Sequence, residues 1–467
     1  MNRSPSSAPG NPPVENKMGT MPVGKLLFQI SFPIIISMMI QALYNIVDSM
    51  YVSRINEKAL TAVSLVFPMQ MLMLSVAIGT NVGVNALLSR ALGAKEFDRV
   101  KKIAQQAVFL LVVCYAVMAA ILFLSAPGFI GLQTNDPVIF EYAVTYMQIC
   151  GVLSIGVFIQ VCMERLLTAT GKTVYTMIIQ ATGAIINIIM DPILIFGYGP
   201  FPEMGVAGAA AATIFGQLIG GIIGIIFNLR VNKEIELSMK GFRPDGNLIA
   251  EIYRIGVPSI VLQSIGSVMT FGMNMILMQY LKNATAAAVF GVYFKINSIF
   301  FMPVFGLNNG LVPIVSYNYG ARRRSRMLGV TKVATIAAFI LLTAGMLAFW
   351  IIPDKLLGIF NASDNMLSIG VPALRAISLS FPIAAYNIIR GSVMQSLGSA
   401  VYSMIVSLAR QLFVLLPSAM LLAVLFRANG GLPQVWYSYV IAEVVAFVMT
   451  FLFYRKVRRE KIDPLPE

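Results

Sequence analysis

Two carboxylates stand inside apolar stretches of this chain: Asp48 in YNIVDSMYV and Asp191 in NIIMDPILIFGYG. An acid in such surroundings is expensive, and the usual reason to keep one is to bind a cation, carry a proton or hold a partner. Asn187 precedes Asp191 by one helical turn, so its amide shares a face with the carboxylate. Thr213, in the next apolar stretch, adds a hydroxyl. Together these four side chains form an oxygen-rich set that suits Na⁺ through oxygen coordination, or a proton exchanged on a carboxyl group. A structural reading uses the same residues, with Asp48 capping a helix end and Asp191-Pro192 marking a satisfied kink.

Other chemistries are absent. The chain has no histidine, which removes histidine-based zinc sites and Ser/His or Cys/His catalysis, and it has no G-x-x-x-x-G-K-[ST] phosphate loop. Its three cysteines, Cys114, Cys150 and Cys162, follow no metal-ligand spacing and read as packing residues. No enzyme and no cofactor are expected, and the chain's own residues offer no way to use ATP. Among the remaining buried charges, Arg410 and Glu443 read as a structural ion pair. Glu164 and Arg375 sit near enough to span ends to snorkel. A cleft is expected to draw on Gln41, Asn45, Met273 and Lys295. The 28 methionines include a cluster at Met269, Met273, Met275 and Met278, mostly packing, although thioethers also suit an adaptable pocket.

The elements that must position these groups are membrane helices. Hydrophobic residues make up 58% of the chain and charged ones 12%, with a mean hydropathy of +0.79, so there is too little polar surface to cover a soluble particle. Twelve apolar runs are each long enough to cross a bilayer. They lie near 26–52, 60–88, 104–125, 140–163, 173–198, 206–229, 250–280, 285–313, 330–351, 370–394, 401–426 and 433–454. Asp48 and Asp191 fall at one depth, on the first and fifth spans, and Thr213 enters that level on the sixth.

The twelve spans are one six-helix unit written twice. GTNVGVNALLSRALGAK from Gly79 aligns with GLNNGLVPIVSYNYGAR from Gly306, and GKTVYTMI from Gly171 aligns with GSAVYSMI from Gly398. ISFPIII from Ile30 pairs with IGVPSIV from Ile255, two residues off that register. An even number of spans per copy inserts both in the same direction, so the fold expected is all-α, two six-helix bundles related by a pseudo-two-fold axis along the membrane normal and enclosing a cleft. Lobes of 25–229 and 250–455 are expected, with a linker over 230–249, a disordered tail over 1–24 and a C-terminal tail over 456–467. At the duplicated positions Met273 replaces Asp48 and Ser418 stands near the counterpart of Asp191, so the symmetry breaks where chemistry is suspected.

Most of the 34 lysines and arginines fall at the termini and in loops after even-numbered spans, in clusters at Arg90 to Lys102, Arg230 to Arg254, Arg322 to Lys332 and Arg455 to Lys461. Both termini are therefore expected in the cytoplasm. The net charge of +14 is then a matter of topology and lipid headgroups rather than nucleic-acid binding.

In these features the chain resembles the multidrug and toxic compound extrusion (MATE) transporters, in particular their bacterial DinF-like branch. The resemblance rests on Pro33 with Asp48 on the first span, VDSMYVSRI leading into LTAVSLVFP, the paired SRALGAK and SYNYGAR turns, Asn187 with Asp191 in NIIMDP, and GVAGAAAAT ending in Thr213. It implies a monomeric, V-shaped antiporter in the bacterial cytoplasmic membrane that expels organic, often cationic and amphipathic small molecules in exchange for Na⁺ or H⁺. Asp48, Asn187, Asp191 and Thr213 carry over as the cation site, with Pro33 as a gating position. The NorM-like branch places acids on the seventh and tenth spans, where SIGSVMTFGMNMI and SLSFPIAAYNIIRG have none. A lipid-linked oligosaccharide flippase is the alternative within the same superfamily.

The charge bias sets a topology test. In a background without native cysteines, a membrane-impermeant thiol reagent added outside intact cells is expected to label Lys282→Cys and to spare Lys233→Cys; the opposite pattern would reverse the orientation.

Overall fold

The computed structural model describes residues 16–55, 57–360, 362–426 and 432–466, and the side chains of Asn45, Ile46, Ser49, Ser53, Glu57, Leu60 and Ala284 also lie outside the described set. All regular structure among the described residues is helical. After a single turn, α1 (Lys17–Thr20), the first lobe comprises α2 (Val23–Ser53), α3 (Glu57–Gly93), α4 (Phe97–Gly131), α5 (Pro137–Val152), α6 (Ile155–Ala169), α7 (Thr173–Phe196) and α8 (Gly205–Arg230). The second comprises α9 (Gly246–Met275), α10 (Ala284–Gly320), α11 (Arg324–Ile351), α12 (Pro353–Gly358), α13 (Asp364–Ser378), α14 (Phe381–Ser396), α15 (Ala400–Leu408), α16 (Leu416–Leu425), α17 (Leu432–Val435) and α18 (Ser438–Val457). A π-helical stretch, Ala409–Leu415, joins α15 to α16 into one span.

Among the described residues ten helices are long and apolar enough to cross a membrane alone, and two further spans are bent pairs: α5 meets α6 at 46° and α13 meets α14 at 47°. The expected fourth and tenth spans thus exist but are not straight. Both bends occupy the same place in the repeat, after Val152 and after Ser378. The duplication also holds at the level of single hydrogen bonds. Ser89 Oγ donates to the Ala169 carbonyl at 3.0 Å, and Ser316 Oγ donates to the Ser396 carbonyl at 3.1 Å, so the serine of each paired turn ties the second helix of its lobe, counting α1 apart, to the end of the bent span. The basic residue closing each turn, Lys95 or Arg322, adopts a left-handed backbone with φ of 60° or 56°. Few side chains other than glycine accept that conformation, and its recurrence marks a shared turn geometry.

The lobes meet through glycines. A Cβ at Gly79 would strike Ile260 and one at Gly83 the Ile252 carbonyl, both on α9, while Gly306 and Gly310 on α10 press against Ile35 and Ser31 on α2. Gly93 and Gly320 face the backbones of Tyr317 and Arg90 respectively. The glycines of the repeated G-x-N-x-G motif therefore let backbones touch across the pseudo-two-fold axis. In a lipid environment such close packing, rather than an apolar seam, is what holds helices together.

The linker is shorter than the expected 230–249, because Asp245 caps α9 by accepting from Asn247 and Leu248 N–H groups and so starts the helix at Gly246. The amides of Gln105 and Gln106 on α4 donate to the linker carbonyls of Ser238 at 2.6 Å and Arg243 at 2.8 Å. Residues 1–15 of the expected disordered tail lie outside the described residues, but from Asn16 onward the chain is ordered. Asn16 Nδ2 donates to the Thr170 carbonyl and to Glu234, Met18 is fully buried, and on the other lobe Asn318 and Arg326 donate to the carbonyls of Met18 and Met21. The polar composition that suggested disorder here supplies the bonds that fasten this segment across both lobes.

Gly83→Ala is expected to destabilise the protein by about 1–3 kcal/mol, since its Cβ meets a backbone carbonyl that cannot rotate away. Gly128→Ala, with nothing within 4 Å of the new Cβ, is the control. Thermal unfolding in detergent reads the difference, and equal melting temperatures would refute the close approach.

Candidate cation site and interior cavities

The four residues singled out in the sequence come from three helices of the first lobe: Asp48 from α2, Asn187 and Asp191 from α7, and Thr213 from α8. Asn187 Nδ2 lies 3.3 Å from Asp191 Oδ1 and 3.3 Å from Thr213 Oγ1, so one amide joins α7 to α8. The turn of helix between Asn187 and Asp191 aligns the two as their spacing requires, and Gly216 on α8, packed against the Gly183 carbonyl, lets the helices approach for Thr213 to reach them. Asp191 is 0% and Asn187 2% exposed. Three buried oxygens here, Asp48 Oδ1, Asn187 Oδ1 and Asp191 Oδ2, have no hydrogen-bond partner among the described residues. Asp48 also lies within electrostatic range of Asp191. Among the described residues no three His, Cys, Asp or Glu side chains form a metal-ligand cluster, so this is a site of two acids completed by neutral oxygens. Hard oxygen donors of this kind fit an alkali cation or a proton.

A cavity of about 200 Å³ opens beside the site. Asn187, Thr213, Gln41 and Tyr44 line it, and Pro33 is buried within α2 one turn before Ser37, whose hydroxyl donates to the Pro33 carbonyl at 2.8 Å. The cavity also contains an acid that the sequence reading sent to the membrane surface. Glu164 on α6 points inward, where Gln160 Nε2 donates to Oε1 at 2.9 Å and Gln180 Nε2 to Oε2 at 3.3 Å. Two amide donors satisfy the carboxylate, so it has no need to snorkel. The one-turn spacing of Gln160 and Glu164 was the available signal.

A second, larger cavity of about 620 Å³ occupies the other lobe. Its polar end is the expected ion pair: Arg410 Nη1 lies 2.5 Å from Glu443 Oε1, and Asn387 Nδ2 donates to Glu443 Oε2 at 2.7 Å. Arg410 sits on the π-helical stretch, where the ladder is widened by one residue per turn. Arg165 donates to Asn309 Oδ1 at 3.3 Å across the lobes and, with Gln263 and Met38, borders both cavities.

Two of the residues expected in a cleft are elsewhere. Met273 is fully buried in the core of the second lobe and lines neither cavity, because its unbranched side chain fills a helix contact. Lys295 is exposed, with Nζ 5.8 Å from the centre of the Phe360 ring, so its charge stays outside both cavities. Gln41 lines the smaller cavity, and the side chain of Asn45 lies outside the described residues.

Twelve membrane-spanning segments in two like-oriented bundles, with polar cavities inside each lobe, define a membrane transporter. The MatE family model matches residues 33–193 and 258–421, one block in each lobe, and the chain belongs to that family. The multidrug export protein MepA of Staphylococcus haemolyticus is 24% identical over 443 residues, covering 94% of this chain and 95% of its own. The FAD transporter of Shewanella oneidensis is 26% identical, covering 86% and 88%. The fold matches an outward-facing multidrug resistance MATE transporter with a TM-score of 0.89 at 21% identity, covering 96% and 99%. A MOP superfamily transporter from Pyrococcus furiosus, reported to have a binding pocket of reverse polarity, matches at 0.86 and 22% identity, covering 96% and 98%.

Asn187→Leu removes the only amide joining Asp191 to Thr213 among the described residues. It is expected to lower stability by about 1–3 kcal/mol, the cost of leaving buried polar groups unsatisfied. Thr213→Val, which loses one acceptor, should cost less. Thermal unfolding of both in the same detergent checks the order.

Proposed function

We propose that this chain is a cation-coupled antiporter that exports organic, cationic and amphipathic compounds, with Na⁺ or H⁺ entering at Asp48, Asn187, Asp191 and Thr213. The observation that supports it is a trio of buried oxygens in one lobe without a partner among the described residues, Asp48 Oδ1, Asn187 Oδ1 and Asp191 Oδ2. Each costs about 1–3 kcal/mol while unsatisfied, and a cation or proton offsets that cost. Binding then favours the state in which the oxygens converge, and a ligand shifts an equilibrium only by such differential affinity.

The helix carrying Asp48 is also the one that packs on α10 across the lobe junction through Gly306 and Gly310. A change at the site therefore has a route to the junction. Pro33 sits within that junction contact, between Ser31 and Ile35, and lacks the N–H that would bond the Gln29 carbonyl, which makes that turn the softest of α2. We place both termini in the cytoplasm and the chain, as a monomer, in a bacterial cytoplasmic membrane, on the charge bias of its loops. The multidrug export relatives support an exporter over an oligosaccharide flippase, which is not favoured.

The test is transport in proteoliposomes with an imposed Na⁺ or pH gradient, using ethidium as substrate and FAD as the comparison compound. Gradient-driven ethidium efflux is expected in the wild type and is expected to be lost in Asp48→Asn and Asp191→Asn, both of which should remain folded because the amide keeps the shape and removes a buried charge. Wild-type gradient-driven rates in both variants would end the cation-site assignment, and FAD movement without ethidium movement would end the substrate class.

A further inference from the structure

The duplication makes it possible to ask why the two interior cavities differ threefold in volume, and the answer points to a ligand. On the register that pairs Gly171 with Gly398, Arg410 and Glu443 are the counterparts of Gly183 and Gly216. In the first lobe those glycines bring α7 and α8 into backbone contact, a Cβ at Gly216 falling 2.6 Å from the Gly183 carbonyl. In the second lobe a guanidinium and a carboxylate stand at the same crossing and hold Ala409–Leu415 and α18 a side chain's length apart. The residues that fill the first cavity are trimmed in the second: Glu164 corresponds to Gly391 and Gln180 to Ser407, and Gln41, on the register of Pro33 with Pro258, corresponds to Gly266. Gly391, Ser407 and Gly266 all line the larger cavity.

We propose that the second-lobe cavity is the binding site for the transported compound, and that it takes a planar aromatic molecule bearing N–H donors. This rests on the exporter reading above and assigns substrate and coupling cation to different lobes. Volume decides between the cavities. Sites for drug-sized molecules occupy roughly 300–1,000 Å³, which admits the cavity of about 620 Å³ and excludes that of about 200 Å³. The smaller one suits an ion with a few waters, each taking about 30 Å³.

The lining supplies the chemistry. Tyr293, Phe294, Phe301, Phe381 and Tyr439 present rings, which stack on an aromatic ligand and attract a cation to their faces. The Oδ1 atoms of Asn297, Asn308 and Asn387 are buried with no hydrogen-bond partner among the described residues, and Asn387 is only 7% exposed. Unpartnered carbonyl oxygens in an aromatic chamber call for donors on the ligand. Arg410 and Glu443 cancel each other's charge, and Arg165 at the chamber's border donates to Asn309 and lies beside the opposite charge of Glu164, so the chamber selects by shape and hydrogen bonding rather than by net charge, a setting that accepts many related compounds.

Ethidium, a planar aromatic cation with two amino groups, is the probe. Fluorescence titration of the full-length protein in detergent is expected to show saturable binding. Gly266→Leu and Gly391→Leu, which project into the chamber, should weaken it at least tenfold; a Cβ at Gly266 meets nothing within 4 Å, so that variant has room to fold. Gln217→Met, on the wall of the first-lobe cavity, should change it less than about twofold. Undiminished binding by both glycine variants, or loss of binding in Gln217→Met alone, overturns the chamber while leaving the exporter reading in place. Absence of gradient-driven transport by the wild-type protein, with ethidium binding intact, overturns the coupling reading and leaves the chamber. Photolabelling of the wild-type protein with azido-ethidium gives a second readout that needs no variant: adducts on α9, α10 or α14 support the proposal, and adducts confined to α7 and α8 refute it.

Discussion

Everything in this molecule depends on two lobes being able to touch without interlocking. The contact is made where glycines of α3 meet the backbone of α9, and glycines of α10 meet α2. Helices that approach this closely gain dispersion energy along their backbones, the main attraction available between helices when the surrounding solvent is as apolar as they are. The side chains that meet these glycines, Ile252, Ile260, Ile35 and Ser31, have no side chain opposite them to lock against, which leaves the surfaces room to rock. A junction built from long side chains would be either looser or locked. The position of α2 follows from this: it is at once a wall of the candidate cation site and half of a junction contact.

The sequence revealed the architecture because hydrophobic length and duplication are linear properties. Twelve apolar runs and an aligned pair of motifs are visible without knowing any angle. What hydropathy does not carry is direction, so the breaks after Val152 and Ser378 passed unnoticed inside runs that remain apolar throughout. The short linker was misjudged for a similar reason, since a single cap at Asp245 decides where α9 begins. The segment from Asn16 to Met21 looked disordered because its composition is that of a loop. Composition is silent on whether those polar groups find partners, and here Thr170, Glu234, Asn318 and Arg326 provide them.

The candidate site was legible in proportion to how costly its members are. A carboxylate in an apolar run stands out, and Asn187 lies within hydrogen-bond reach of both Asp191 and Thr213. Glu164 was misread because distance from a span end says nothing about which way a side chain faces, and two glutamines turn it inward. Met273 and Lys295 were chosen for chemical character alone, and packing placed one in the core and the other outside. The large cavity left almost no positive trace, since space is encoded by what is missing: Gly266 and Gly391 were informative only when set against their counterparts Gln41 and Glu164.

Arg410 and Glu443 were not equally easy for evolution to acquire. Their counterparts are glycines, and if the ancestral unit had glycines at both places, the pair must have formed in two steps, one charge arriving first in an apolar interior. A glutamate can enter such a place neutral by keeping its proton, whereas a guanidinium has no neutral form within reach of physiological pH. The cheaper path therefore runs through the acid, with the arginine arriving afterwards to a waiting partner and opening the helix crossing behind it. On that path the two lobes parted ways historically before they parted ways in size, and the widened chamber is the by-product of a charge being answered.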